Sequence, residues 1–286
     1  MIPDKVQSFF YQVPWRSASV HSGAHQGVQR GIGDEFSKHV SLVDYPDARR
    51  LDLRQTLRDP YEQIQIRVFK QEASTPLYAL CDLSSSMQFK GHVSKYETLQ
   101  AIAAAVACSA HENSDLFGMV CYQHRVLPEL SLAPGHHAQQ SFDTIAQLTE
   151  VEAGPQDGQG IVEATAWLGQ QKGLVFWISD FHLPLSLIEQ SLNSLSNHQV
   201  IPLVLWDPQE YERLPRLGFG NLQDPETGQQ ITIFFRPALR ARFVAQFEQR
   251  KQALDQLFAR FEIRPLYVTG AFEAAMLSDY FEQLIQ

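Results

Sequence analysis

The sequence predicts an open, mostly parallel α/β sheet covered by helices on both faces, with one antiparallel edge strand, an N-terminal extension and a β-hairpin insertion. Three observations carry this reading. Short unbroken apolar runs at 77–81, 174–179 and 200–206 are what strands covered on both faces require. Helical patterns separate them, so strand and helix alternate along the chain. The 286 residues, 44% of them hydrophobic, suffice to bury one large core or two modest ones.

In chain order, residues 1–15 place Asp4 and Lys5 ahead of only a few apolar residues, which fits neither a signal peptide nor a membrane span. Residues 23–36 are Gly-rich and read as loop with short extended pieces. Arg49, Arg50, Arg54 and Arg58 then cluster around Asp47, Asp52 and Asp59, either as a solvated face with local ion pairs or as a dock onto the acidic remainder. The period-two alternation of Ile64, Ile66 and Val68 predicts a half-buried strand. Residues 1–72 are expected to form a segment packed on a main domain at 73–286.

The run 77–81 ends in Asp82, Ser84 and Ser86, at alternate positions of one loop. Two readings stand side by side: a Ser-rich turn after a core strand, or a cation loop whose carboxylate and hydroxyls suit a hard divalent ion. Ser94 and Glu97 form a capping box that opens an Ala-rich buried helix ending near His111. Runs at 116–122 and 125–130, with only Gln123 and His124 between them, predict a hairpin and hence the antiparallel edge.

A helical pattern follows at 134–148, then a loop at 153–160 and a helix at 161–168, stopped by Gly173. The strand at 174–179 also ends in an aspartate, Asp180. Beyond it the pattern predicts a helix at 183–196, a strand at 200–206 and a hairpin at 221–235 inside an insertion of about 210–236. A long helix at 237–261, a strand at 263–270 and a closing helix at 272–285 complete the chain.

The net charge of −9 is unevenly placed: residues 1–72 carry ten Lys/Arg against nine Asp/Glu, the remainder thirteen against twenty-three. An acidic surface without a basic stripe argues against nucleic acid or an anionic membrane as partner. Cys81, Cys108 and Cys121 lie in apolar segments without paired spacing, as small core residues in a reducing compartment do. No run reaches the roughly 18 to 20 apolar residues of a spanning helix, so the expectation is a cytoplasmic protein.

In an open α/β sheet ligands collect at the carboxyl ends of strands, near the point where strand order reverses. Asp82 and Asp180 end two different strands there. With DLSSSM after one apolar strand and SDF after another, the chain resembles the von Willebrand factor A domain and its metal-ion-dependent adhesion site. The segments GIGDEFSKHV, DARRLDLRQTLRDP and DPETGQQ resemble, more specifically, the bacterial domain-of-unknown-function family 58, whose members are often encoded beside MoxR-type AAA+ ATPases. The resemblance runs from about Ser22 to the end.

What it implies is a Mg2+ (or Mn2+) site on Asp82, Ser84, Ser86 and Asp180. Where the family offers a threonine, this chain has Gln159, whose amide oxygen would serve unless water fills the position. The family's Arg-x-Ile-Asp-Trp pattern falls on Arg49-Arg50-Leu51-Asp52-Leu53, without the tryptophan, and its preceding Gly-Asp on Tyr45-Pro46. The implied function is a metal-dependent protein-interaction module, an adaptor or co-chaperone of a MoxR-type ATPase in assembly or maturation of other proteins. Contact would run through an acidic side chain of the ATPase or a client. A metal-free scaffold and a metal-dependent hydrolase are the alternatives. Catalysis would require a nucleophile with a base, or a second metal. His92, His111, His136 and His137 lack ligand spacing, and His182, two residues after Asp180, is either the one histidine near the site or a surface loop residue.

Overall fold

The computed structural model describes residues 6–13, 15, 25–44, 49, 51–61, 63–89, 91, 93–151, 158–207, 218–223, 230–235 and 237–285. They divide into two units: Val13–Thr75 with Asn113–Asp115, and Pro76–Glu112 with Leu116–Gln286 and the N-terminal residues up to Gln12.

In the first unit β1 (His25–Ser41) pairs antiparallel with β2 (Gln65–Ala73), with register shifts between Gln26 and Arg30, Arg30 and Glu35, and Phe36 and Lys38. The glycines of 23–36, expected to make loop, instead lie largely in this bulged strand; glycine inside a strand marks bulges rather than ending the pairing. Asp52 then caps α1 (Leu53–Thr56), accepting from the amides of Arg54 and Gln55. Its other oxygen receives His39 Nε2 at 3.0 Å and Arg67 Nε at 2.6 Å. Asp52 is therefore the anchor that joins α1 to both strands. Asp47 and Arg50 of the predicted cluster, and Tyr45-Pro46, lie outside the described residues.

The second unit is built on β3 (Pro76–Asp82), β4 (Leu116–Tyr122), β5 (Leu132–Gly135), β6 (Leu174–Ser179), β7 (Gln199–Leu205) and, after the hairpin β8 (Gly218–Gln223) and β9 (Gln230–Phe235), β10 (Leu266–Val268). Six of these form one sheet in the order β10-β7-β6-β3-β4-β5, parallel throughout except for the antiparallel β4–β5 pair. Helices α2 (Lys95–Glu112) and α3 (Ala138–Ala146) pack together beside β3 and β4. On the other face α4 (Ile161–Trp167), α5 (Leu185–Ser194) and α6 (Pro237–Arg260) cover a core that includes Tyr78, Tyr122, Trp177, Phe181 and Phe258. Period-two alternation sends Phe176 to the opposite face, where its ring meets Phe9 and Phe281, the latter on α7 (Ala275–Ile285). Every residue of β3 and of β6 is buried, which is why their sequences are unbroken apolar runs.

The antiparallel edge strand exists, but not at 125–130. Tyr122 and Val126 make a single bridge, residues Pro128–Leu130 form a 3-10 turn, and the chain returns as β5 four residues long. The helix expected at 134–148 begins only at Ala138 and ends in a 3-10 turn at Gln147–Glu150, because 134–135 belong to β5. The strand expected at 263–270 keeps three residues, and the closing helix starts at Ala275. Among the described residues no helix is long and apolar enough to cross a membrane.

Candidate metal centre

From β3 the chain crosses to β4 on one side, and later returns to β6 on the other, so strand order reverses at β3 and opens a crevice at the carboxyl ends. The parallel register pairs Cys81 with Ile178, which brings Asp82 beside Ser179 and Asp180. Asp82 is fully buried; its Oδ2 accepts from Ser179 Oγ at 2.6 Å and its Oδ1 from the Ser84 amide at 2.9 Å. The Ser84 and Ser86 hydroxyls stand 3.2 Å apart. Asp82 thus lies beside Ser84 and Ser179, Ser84 beside Ser86, and Asp180 follows Ser179 on the neighbouring strand. Gln159 is exposed in the turn that opens α4, which is tied to the end of β4 by Gly160 N donating to Gln123 O at 3.0 Å.

Asp180 is 1% exposed and holds Lys95, which is 5% exposed: Nζ donates to Oδ2 at 3.0 Å. The other oxygen accepts from the His182 amide at 3.2 Å. The His182 ring stacks on Trp206, with 6.0 Å between centroids, and its charge also acts on the Asp180 carboxylate. The backbone here is clamped. Trp206 Nε1 donates to the Asp180 carbonyl at 2.7 Å, and the Arg250 guanidinium donates to the carbonyls of Phe181 and Leu183. Phe181 adopts a left-handed conformation at φ 52, held there by its buried ring against Trp177 and Phe258.

The two carboxyls sit in different electrostatic surroundings. Burial, and then the charge of Asp180, push Asp82 up to about 6, against the hydrogen bonds from Ser179 and Ser84. Burial would raise Asp180 as well, but the Lys95 ammonium outweighs it and holds this carboxyl at about 2. Burial and the Asp82 charge raise the Tyr96 and Tyr122 hydroxyls, which stay neutral.

Hard divalent ions at bonds of about 2.1 Å place neighbouring oxygen ligands about 3 Å apart. The two serine hydroxyls already meet that spacing, and the Asp82 carboxylate beside them supplies the charge. Mg2+ or Mn2+ therefore fits the Asp82 side. The Asp180 side holds an ammonium, so this carboxylate fits as a ligand through water rather than directly. Among the described residues no group of three or more His, Cys, Asp or Glu is arranged to hold a metal, and the fit rests on the hydroxyls.

Sequence reasoning missed Lys95, Ser179 and Asp207. Lys95 opens α2, where the helix dipole disfavours a cation, and a lone lysine at the start of an Ala-rich buried helix is the signal that points to a buried anion. Ser179 is the one polar residue of β6. Asp207, two residues after β7, is a third aspartate near a strand end; it is buried and lines a small cavity together with Lys95.

Residues 45–253 match the family described as "Protein of unknown function DUF58". Over 101 residues, 35% of this chain, the sequence is 33% identical to an "Uncharacterized protein in moxR 3'region" of Paracoccus denitrificans, covering 96% of that protein. Among solved structures the chain is similar to the conserved hypothetical protein BatB from Bacteroides thetaiotaomicron, with a TM-score of 0.43 and 14% identity over 74% of this chain and 99% of that one. A second is an aerotolerance-related membrane protein from Bacteroides fragilis carrying multiple mutations to serines, with a TM-score of 0.41 and 13% identity over 73% and 98%. With the family match spanning most of its length, this chain belongs to DUF58, a family of proteins of unknown function.

Proposed function

We propose that the protein is a cation-dependent protein-interaction module of von Willebrand factor A type, a cytoplasmic adaptor or co-chaperone of a MoxR-type AAA+ ATPase in assembly or maturation of other proteins, with no turnover of its own. The observation that carries the reading is the buried Asp82 carboxylate beside the paired hydroxyls of Ser84 and Ser86, at the crevice where strand order reverses. Asp82, Ser84 and Ser86 would hold Mg2+ or Mn2+, Asp180 would act through water, and water would fill the corner that exposed Gln159 leaves. The bound ion supplies an open position for a partner's carboxylate. The ATPase enters from the name of the Paracoccus denitrificans relative, which places that protein beside moxR.

A second reading, a metal-free scaffold, is favoured by the ammonium already seated on Asp180. Co-purification of wild type and Asp82→Ala with the MoxR-type ATPase, in Mg2+ and in chelator, tests the proposal. Recovery only for wild type in Mg2+ is expected. Equal recovery in all four samples leaves the scaffold, and no recovery in any removes the ATPase.

A further inference from the structure

We infer that Lys95 is a tethered cation that competes with the divalent ion for the Asp180 side of the site, so that the site has a lysine-closed form and a metal-bound form in which the Lys95–Asp180 bond opens. This rests on the proposed reading of Asp82, Ser84 and Ser86 as metal ligands.

The lysine-closed form is the one described above. Lys95 Nζ is 3.0 Å from Asp180 Oδ2, with both side chains almost wholly buried, and it also lies 5.7 Å from the centre of the Phe89 ring. A buried ion pair of this kind loses hydration on both partners and persists because each neutralises the other. Charge counting then sets the competition. Two carboxylates and one ammonium leave the site at −1, and a divalent ion added to them makes it +1. Without the ammonium, the two carboxylates and a divalent ion sum to zero. Like charges a few ångströms apart repel strongly in surroundings of low polarisability, so Lys95 lowers the affinity of the site for metal.

Asp180 is the fixed partner and Lys95 the movable one. The Asp180 backbone is held by Trp206, and its second oxygen by the His182 amide. Lys95 reaches it on a flexible four-carbon stem. Its own amide donates to the carbonyl of Phe89, which directly follows the 3-10 turn Ser85–Gln88 that carries Ser86. The ammonium also sits over the Phe89 ring, so its displacement changes a contact with the residue that follows this turn.

The test is Mn2+ titration by calorimetry and electron paramagnetic resonance on wild type, Lys95→Met, Lys95→Gln and Asp82→Ala, with thermal midpoints in chelator and in Mn2+. Lys95→Gln keeps a donor for Asp180 should Lys95→Met fail to fold. Both lysine variants are expected to bind Mn2+ roughly tenfold or more tightly than wild type. Their midpoints fall below wild type in chelator and recover with Mn2+. If wild type binds and the lysine variants bind equally or more weakly, the inference fails and the proposed function stands. Binding by the lysine variants with none by wild type upholds the competition and overturns metal-dependent function. No binding by any variant, or undiminished binding by Asp82→Ala, overturns both.

Discussion

Ser179 donates its hydroxyl proton to Asp82 across the β3–β6 pair at 2.6 Å, while its oxygen accepts from the Phe181 amide at 2.9 Å. One side chain thus supports the first carboxylate and shapes the turn that follows the second. Ser179→Ala leaves a buried carboxylate oxygen and an amide each short of a partner, with an expected cost of about 1–3 kcal/mol. Urea unfolding measures it; a loss below a few tenths would mean that water takes over both bonds.

Asp82 links stability to pH. A carboxyl raised to about 6 in the folded chain binds its proton more tightly there than when unfolded. Chelated protein therefore gains stability as pH falls from about 7 to about 4, on the order of 2 kcal/mol. The groups that face Asp82 do not reverse this. Asp180, pulled down by Lys95, acts in the opposite sense only below about pH 4, and Tyr96 and Tyr122 remain neutral. Urea midpoints at pH 7, 6 and 5 in chelator should diverge between wild type and Asp82→Asn; parallel slopes would refute the assignment.

Asp52 works with the other sign. Its hydrogen bonds from Arg67 and His39 hold its carboxyl well below the usual range. The stabilisation is present above the unfolded carboxyl's pKa of about 4 and fades as pH drops beneath it. Hydrogen exchange, corrected for intrinsic rates, should show β2 amides losing protection between about pH 4 and 2 in wild type. In Asp52→Ala the loss is expected already at pH 6. Full protection in that variant would show that the strands hold without their anchor.

Phe9 is 4% exposed, stacks on Phe281 and meets Phe176 edge-on, with its amide bonded to Ser109 Oγ at 2.8 Å. Phe9→Ala should cost about 3–5 kcal/mol. Its neighbour Phe10 is 53% exposed, and Phe10→Ala is expected to stay within about 0.5 kcal/mol. Denaturant midpoints of the pair decide whether this N-terminal stretch is part of the folded unit; equal small losses would detach it.

The legible parts of the fold are those where composition and burial coincide. β3 and β6 are readable because complete burial removes polar residues, and the turn after β3 because Asp82, Ser84 and Ser86 lie two apart. The edge strand was misplaced for a local reason: Gln123 N donates to Arg125 O, so a tight turn does follow β4, but Pro128, lacking an amide proton, leads into a 3-10 turn before pairing resumes. β1 was hidden by its glycines, which suit loops and bulges alike. Lys95 and Asp180 stand 85 positions apart, and no spacing rule connects them; only the crossover after β3 brings the first turn of α2 to the end of β6. Gln159 follows only from the family resemblance, and in the structure its side chain is exposed.

The two outer strands of the six-stranded sheet also decide how a partner can approach. β10 has three residues, and β5 has four, one of them Pro134, which offers no amide proton. Rims this short present too few free backbone groups for an incoming segment to be stitched on as a further strand. Extension of the six-stranded sheet is closed on both sides, so a partner that meets this sheet would do so at its strand tips or across its covering helices rather than as an added strand.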